Sequence, residues 1–345
     1  MALRVLHLVG SAVSELMADL SRLYARDCLG VLAAAPGYDT VIAHVDPDRR
    51  WRFPATLTAE GLADADSLSA AAAIAHLVSL NIDVVVPQMF CRPGMTEYRS
   101  LFDLLEIPYV GNRAEVMALA ADKARAKSVV AAAGVGVPAG EVVGIGTRPN
   151  LAPPAVVKPV DGDNSLGVTF VRDSAQYPAA VSGACAHGSA ALVEEYIPLG
   201  REVRCGIIDR DGELVVLPLE EYNVDAATHP IRDHADKICR GEDGELALVA
   251  KQRSRAWILD GADPITAAVG AAARRCHNAL GCRHYSLFDF RIDPDGHPWF
   301  LEAGLYCSFA RQSVVTVMAA AAGIPIEELF AAALDTALAD RRTLR

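Results

Sequence analysis

The sequence lacks the long apolar runs, paired cysteines and basic excess that mark several large classes of protein. No apolar run approaches the ~20 residues of a membrane-spanning helix, so we expect no membrane contact of that kind. The net charge at pH 7 is −11, which argues against nucleic acid or an anionic membrane as a partner. An anionic substrate would therefore need a local basic pocket or a bound cation.

Cysteine spacing and glycine motifs exclude further classes. The eight cysteines form no C-x-x-C pair, which argues against a zinc site and favours reduced thiols in a cytoplasmic protein. The first apolar stretch, residues 1–10, is short and runs into a helical pattern, so we expect a strand rather than a signal peptide. No G-x-G-x-x-G follows that strand, so a dinucleotide is not indicated.

What is present predicts a globular α/β protein of two or three domains. Hydrophobic residues make up 52% of the 345 residues and charged residues 22%. Strand-like runs alternate with helical patterns over roughly the first 110 residues, which predicts a parallel, Rossmann-like sheet. Ligands bind such sheets beyond the carboxyl ends of the strands, here residues 10–15 and 88–96.

The remaining pattern alternates helices with strand pairs. The expected helices cover residues 114–133, 174–186, 267–280, 313–322 and 326–338, and the expected strands cover 155–157, 168–171, 191–196, 203–208, 213–217, 285–292 and 298–302. Residues 223–254 are polar and show no sustained period; a loop of this length is usually functional or mobile.

The stretch AVVKPVDGDNSLGV, residues 155–168, places Lys158 between a buried strand and a loop of small residues. A lysine facing a loop rich in backbone N–H donors suits phosphate binding, although the Walker A pattern is absent. The alternative is an ordinary hairpin with a surface lysine. Lys123, in the middle of the helical pattern 114–133, has the similar alternative of a solvated helix face.

Two acidic residues in the last predicted hairpin are candidate metal ligands. Asp289 and Glu302 lie on facing strands, and carboxylate oxygens are the ligands that Mg²⁺ prefers. The alternative is a pair of solvent-facing acids on a half-exposed sheet. Large apolar neighbours, including Phe288, Phe290 and Phe300, argue against it, because acids in such a setting need a cation or another partner.

The ordered motifs resemble the ATP-grasp superfamily and, within it, the D-alanine–D-alanine ligase family. The matching pieces are IPYVGN, ADKARAK, AGVGVP, VVKPVDGDNSLGV, LVEEYIPLGREV, ADK, LFDFRIDPDGHPWFLEAG and AAGIP, in order from about residue 81 to the C-terminus. The resemblance implies an enzyme with an ATP-grasp fold that uses ATP and Mg²⁺. It also implies an N-terminal Rossmann-like domain at 1–112, a central ATP-grasp subdomain at 113–197 and a C-terminal catalytic subdomain at 198–345.

The same resemblance implies a role for individual residues. The residues implied for ATP are Lys123 and Lys158 at the phosphates, Asn164, Ser165 and Gly167 in the closing loop, Glu194, Glu195, Tyr196 and Ile197 at the adenine, Glu202 at the ribose, and Lys237 reaching across from the long loop. The metal ligands implied are Asp289 and Glu302. For the substrates, Glu15 is implied at an amine, and Ser313 ends the segment 304–313 that binds the second substrate.

Several positions depart from the parent family. Its H-G-x-x-G-E-D-G pattern is replaced by MFCRPGMT, residues 89–96, and Gly304 stands where a metal-binding asparagine is expected. Leu287 replaces the arginine that faces the tetrahedral intermediate. Arg291 lies two residues further along the same strand face and is our sequence-based candidate for that function. The alternative is that Arg291 forms a surface ion pair with Asp289 or Asp293.

A narrower resemblance covers essentially the whole chain. SAVSELMADLSRLYARDCL, PDRRWRFP, PQMFCRPGMTEYR, GREVRCGII, PLEEY, AWILD and GCRHYSLFDFRIDP are similar to the ligases of mycosporine-like amino acid biosynthesis. This implies ATP-dependent coupling of mycosporine-glycine to serine, threonine or glycine. The alternatives are a dipeptide ligase and a non-catalytic ATP-binding regulator. A homodimer is a further expectation.

Overall fold

The computed structural model of this protein describes residues 2–33, 37–162, 165–225, 228, 230–232, 238–240, 246–248 and 255–343. Its strands are β1 (Leu3–Gly10), β2 (Tyr38–Val45), β3 (Trp51–Arg52), β4 (Val84–Pro87), β5 (Gly140–Val143), β6 (Ala155–Pro159), β7 (Thr169–Val171), β8 (Ala191–Glu195), β9 (Arg201–Arg210), β10 (Glu213–Val216), β11 (Glu220–Tyr222), β12 (Ile238–Arg240), β13 (Leu246–Leu248), β14 (Ala256–Ile258), β15 (Tyr285–Ile292) and β16 (Pro298–Ala303). Its helices are α1 (Glu15–Leu32), α2 (Ala59–Asp64), α3 (Ala70–Ser79), α4 (Arg92–Met95), α5 (Glu97–Leu104), α6 (Ala114–Ala121), α7 (Lys123–Ala132), α8 (Tyr177–Cys185), α9 (Ile265–Leu280), α10 (Val314–Ala321) and α11 (Ile326–Thr343), with a 3-10 turn at Ser174–Gln176.

The N-terminal sheet has the order β3-β2-β1-β4. β1 pairs in parallel with both β2 and β4, so the predicted Rossmann-like sheet is present. β3 adds a short antiparallel edge that was not predicted. Loops from the carboxyl ends of β1 and β4 lead into α1 and α4, as expected for a sheet whose ligands bind at that edge.

The helical pattern predicted at 114–133 is interrupted at Asp122. The backbone of Asp122 is extended, and its carboxylate accepts a hydrogen bond from Arg125 N at 3.0 Å, so it caps the start of α7. Lys123 therefore begins a helix instead of occupying a solvated face. Its N–H donates to Val160 O at 2.8 Å, which ties the start of α7 to the segment that follows β6.

The second sheet has the order β5-β8-β6-β7 and is antiparallel between its paired strands. α8 packs on it around a core that includes Val157, Val181 and Val193. β6 delivers Lys158 near its end, beside the loop that joins β6 to β7. That placement confirms the predicted strand-end position of this lysine.

The third sheet has the order β14-β11-β9-β15-β16, with β10 paired to β9. Its strand residues alternate between two faces, as the period of two requires. Phe288, Phe290 and Ile207 pack on one face against α6, α7 and α9. Tyr285, Leu287 and Ile208 face the other way, toward residues of the N-terminal sheet, α10 and α11.

The packing of the core does not follow the predicted domain boundaries everywhere. α6 and α7 belong by sequence to the central segment, yet their apolar residues share a core with the third sheet.

Among the described residues, no single helix is long and apolar enough to cross a membrane, although α10 and α11, counted together across a 111° bend, meet that test.

Candidate active site

Two adjoining cavities lie where the second sheet, the third sheet and α7 meet, and both contain Asp289, Glu302 and Arg232 in their walls. One, which we call the lysine cavity, also contains Lys158, Ser165, Glu194, Ile197, Glu202 and Arg291. The other, which we call the apolar cavity, extends toward the N-terminal sheet. Its apolar wall includes Met17, Leu20, Tyr24, Phe90, Met117 and Leu287.

Lys158 is one of two buried lysines held by a single carboxylate. Glu194 on β8 lies 2.7 Å from Lys158 Nζ and 2.7 Å from Lys127 Nζ. Burial alone would raise the pKa of Glu194, but the two lysines lower it, so it remains a carboxylate. Burial lowers the pKa of Lys127 to about 8. The Glu194 side chain thus holds two lysines in place, and its predicted contact with adenine stays a prediction.

Arg291 also has partners at the lysine cavity. Its guanidinium donates to Glu202 at 2.8 Å, to Pro230 O at 2.8 Å and to Ile197 O at 3.2 Å. It also lies 5.2 Å from the centre of the Tyr196 ring. Arg291 is 4% exposed, so the surface ion pair is excluded. Because it binds the residues predicted to contact adenine and ribose, the structure argues against its predicted function at the tetrahedral intermediate.

The remaining residues predicted at the nucleotide differ in placement. Ser165 lines the lysine cavity, and Gly167 adopts φ +72°, a left-handed conformation that a side chain disfavours. The Glu195 side chain instead accepts a hydrogen bond from Ala139 N at 2.9 Å and supports the start of β5. Asn164 and Lys237 lie outside the described residues.

The two predicted metal ligands face each other directly. Asp289 and Glu302 are register partners on β15 and β16, and both line both cavities. Asp289 is 8% exposed, so it is not a solvent-facing acid. Two convergent carboxylates in a pocket that also holds lysines fit a hard divalent cation such as Mg²⁺. Lys123 Nζ lies 3.6 Å from Glu302 and donates to Gly162 O, which brings a third group to the same place.

Arg204 is a residue of this site that sequence reasoning missed. It is the register partner of Asp289 on β9, and its Nε and Nη2 donate to the two Asp289 oxygens at 2.5 and 2.9 Å. Lys127 was missed as well. The strand period showed which residues share a face on one strand, but the pairing of β9 with β15 joins residues 85 positions apart, which no local signal reveals.

The two residues predicted for substrate binding separate in the structure. Ser313, the N-cap residue of α10, lines the apolar cavity. Glu15 is the first residue of α1. Its side chain is 72% exposed and lies 3.7 Å from Arg22, and Glu15 is not among the residues that line either cavity. The structure thus argues against Glu15 as a direct substrate contact.

Comparison with known proteins finds sequence similarity to one family and to individual members of it. Residues 146–335 match the family described as "D-ala D-ala ligase C-terminus". A D-alanine–D-alanine ligase from Gloeobacter violaceus is 32% identical over 248 residues, which cover 70% of this chain and 76% of that protein. One from Methylobacterium radiotolerans is 35% identical over 241 residues, 67% of this chain and 73% of that protein.

Solved structures resemble the fold over nearly the full length. The VanG D-Ala:D-Ser ligase from Enterococcus faecalis has a TM-score of 0.77 at 21% identity, covering 98% of this chain and 100% of that one. The D-alanine–D-alanine ligase from Bacillus anthracis complexed with ATP has a TM-score of 0.73 at 19% identity, covering 100% of both chains. At these identities the likeness establishes the ATP-grasp architecture alone.

Proposed function

This chain is an ATP-dependent ligase of the D-alanine–D-alanine ligase family, and we propose that it phosphorylates an oxyacid substrate and joins it to the amine of an amino acid. The observation that supports this most strongly is the convergence of Lys123, Asp289 and Glu302 where the lysine cavity meets the apolar cavity. A phosphate donor in the first cavity and an acceptor in the second would meet at these residues.

The side chains provide the charges that phosphoryl transfer requires. Lys158 and Lys123 offset phosphate charge, and each is held by a carboxylate, so little reorganisation is needed when ATP binds. Asp289 and Glu302 would hold Mg²⁺, which neutralises phosphate oxygens when bound. Ser165 and Gly167 belong to the loop that would close over the phosphates and exclude water.

For the substrates, one candidate reaction is dipeptide formation through an acyl phosphate. The relatives from Gloeobacter violaceus and Methylobacterium radiotolerans, which match two thirds or more of this chain, are described as D-alanine–D-alanine ligases. This pairing is the better supported of the two that we consider. Ser313, which lines the apolar cavity at the start of α10, is then a candidate contact for the incoming substrate.

A second candidate, mycosporine-glycine with serine, threonine or glycine, is favoured by the lining of the apolar cavity. Met17, Leu20, Tyr24 and Phe90 form a wall suited to a substrate with a hydrocarbon ring. Such a wall offers little to two alanine molecules, whose charged groups need polar partners. ATP would phosphorylate the vinylogous carboxylate oxygen, and the amine would displace phosphate to give an imine.

The test is product analysis by mass spectrometry. The protein is incubated with ATP and Mg²⁺, and with either D-alanine or mycosporine-glycine plus serine, threonine and glycine. We expect one mixture to yield a product whose mass is the sum of its substrates less one water, together with ADP and phosphate. Nucleotide binding without product from any mixture would contradict an enzyme and would favour an ATP-binding regulator.

Lys158→Ala is the matched loss-of-function variant for this assay. It removes a charge-assisted phosphate contact, so we expect turnover to fall about 10²-fold or more. Arg210→Leu, on the exposed end of β9, is the control that keeps wild-type turnover. Equal turnover in all three proteins would count against the lysine cavity as the phosphate site.

Three further expectations remain proposals. The boundaries 1–112, 113–197 and 198–345 are supported by the three main sheets, each of which falls within one segment. A cytoplasmic location is supported by the proposed use of ATP and by free thiols at the seven cysteines whose state is described. A homodimer is tested by the mass in solution.

A further inference from the structure

We propose that Arg204 takes the place left by Leu287: from the neighbouring strand it stabilises the negative charge that develops on the substrate as the carbon–nitrogen bond forms. This inference rests on the proposed ligase function. With an acyl phosphate, the amine nitrogen bonds to the acyl carbon, and the electron pair of the C=O bond moves onto its oxygen. That pair returns as the carbon–oxygen bond to phosphate breaks, phosphate leaves, and the amine proton passes to water.

The first observation is that Leu287, in the wall of the apolar cavity, stands where the resemblance to the parent family implies an arginine. Leu287 lines the apolar cavity two residues before Asp289 on the same face of β15. A leucine has no donor for an oxyanion, and a donor at such a point contributes about 10²–10³-fold in turnover. A ligase with this residue needs a cation from another element.

The register of β9 against β15 identifies that element. Arg204 lies opposite Asp289, and Gly206 lies opposite Leu287. Arg204 is thus the diagonal neighbour of Leu287 on the same sheet face, a separation of ~7 Å that a long side chain can cover. Gly206 presents no side chain between them, and a Cβ there would lie 2.9 Å from Met318 Sδ.

Arg204 is held firmly enough to act without reorganisation. Two hydrogen bonds fix its guanidinium to Asp289, and its centre lies 5.3 Å from the centre of the Tyr222 ring. A guanidinium keeps its positive charge at any physiological pH. An aspartate has about four acceptor sites, so Asp289 can bind Arg204 and still offer an oxygen to Mg²⁺.

One end of this guanidinium remains available to a substrate. Within the described part of the chain, the side-chain hydrogen bonds of Arg204 use Nε and Nη2. Arg204 also lines the apolar cavity. Nη1 therefore has two N–H donors for a developing oxyanion. Arg291, which lies on the same face, already donates to Glu202 and to two carbonyl oxygens.

The decisive experiment moves the arginine from one strand to the other. Arg204→Leu, Arg204→Lys and the double variant Arg204→Leu with Leu287→Arg are compared with wild type in the substrate mixture that gives product. We expect Arg204→Leu to lower kcat 10²–10³-fold and to leave the affinity for Mg²⁺–ADP, measured by calorimetry, within about threefold. The double variant should regain at least tenfold of the lost kcat, and Arg204→Lys should lie between the two.

Either of two results would overturn the inference. One is kcat within threefold of wild type in Arg204→Leu. The other is a double variant that binds Mg²⁺–ADP normally but shows no recovery, which would make Arg204 a structural partner of Asp289 only. Should Arg204→Leu fail to fold because it leaves Asp289 buried and unpaired, Arg204→Lys and the double variant, which keep a cation, decide the question. Failure of the wild-type protein to form any product would instead contradict the proposed function.

Discussion

At the scale of single residues, the site depends on carboxylates that hold cations in place. Glu194 holds Lys127 and Lys158, Asp289 holds Arg204, and Glu202 holds Arg291. All three carboxylates are almost fully buried. Buried ion pairs of this kind add little net stability, but removing one partner leaves an uncompensated charge at high cost. Their visible effect is to hold Lys158, Arg204 and Arg291, which line the two cavities, in fixed positions.

Glu194→Gln should therefore be much more damaging than Glu195→Gln. The first change leaves two buried lysines without a counter-charge and should lower the free energy of unfolding by about 3–5 kcal/mol. The second weakens only one hydrogen bond to Ala139 N and should cost about 1 kcal/mol or less. Urea denaturation at pH 7 measures both. Equal losses of unfolding free energy would show that Glu194 is not needed as the counter-charge of the two lysines.

At the scale of elements, short segments with unusual backbone place the reactive groups. Asp122 ends α6 and caps α7, which puts Lys123 at a helix start beside Glu302. The loop between β6 and β7 needs Gly167 at φ +72°, where an added Cβ would lie 3.1 Å from Gly183 O. The backbone conformation at Gly167 thus sets how this loop approaches the lysine cavity.

Gly167→Ala should weaken ATP binding through this loop. The left-handed conformation costs a residue with a Cβ about 1–2 kcal/mol, so the loop should shift and the KM for ATP should rise several-fold. Gly144→Ala, at an open position after β5 with no such backbone constraint, is the control. Steady-state kinetics with ATP as the varied substrate measures both variants. A normal KM in Gly167→Ala would remove the loop from the nucleotide site.

At the scale of the whole molecule, buried histidines join separate helices and strands. His7 on β1 hydrogen-bonds Gln88 at 3.2 Å and stacks on Phe330 of α11. His277 on α9 lies 2.8 Å from Ser286 Oγ on β15. Burial lowers the pKa of each of these histidines to about 4. Both are therefore neutral in the folded protein at neutral pH.

Stability should consequently fall as the pH drops from 6.5 toward 4. In that window the unfolded chain takes up protons on these histidines and the folded chain does not, so each lowers the free energy of unfolding by up to about 1.4 kcal/mol per pH unit. His7→Leu should flatten this part of the curve, whereas His297→Gln, at an exposed turn residue, should not. Denaturant unfolding from pH 7 to 4 tests this. Parallel curves for His7→Leu and wild type would contradict the lowered pKa.

The sequence alone predicted many of the helices and strands and the strand positions of several candidate site residues. Local periodicity and turn signals predicted the hairpin of β15 and β16, and the structure pairs Asp289 with Glu302 across it. The placement of Lys158 at the end of β6 was predicted in the same way. These are local features, because a strand's two faces and a tight turn are fixed by residues close together in the chain.

The tertiary structure decided which charges meet. Lys127 pairs with Glu194, Arg204 with Asp289 and Arg291 with Glu202, and Glu15 is not among the residues that line either cavity. Each of these outcomes depends on the pairing or packing of segments distant in sequence, such as β9 against β15. A side chain's neighbour across a sheet is set by strand order and register, and these follow from the burial of the whole core rather than from the residues beside it.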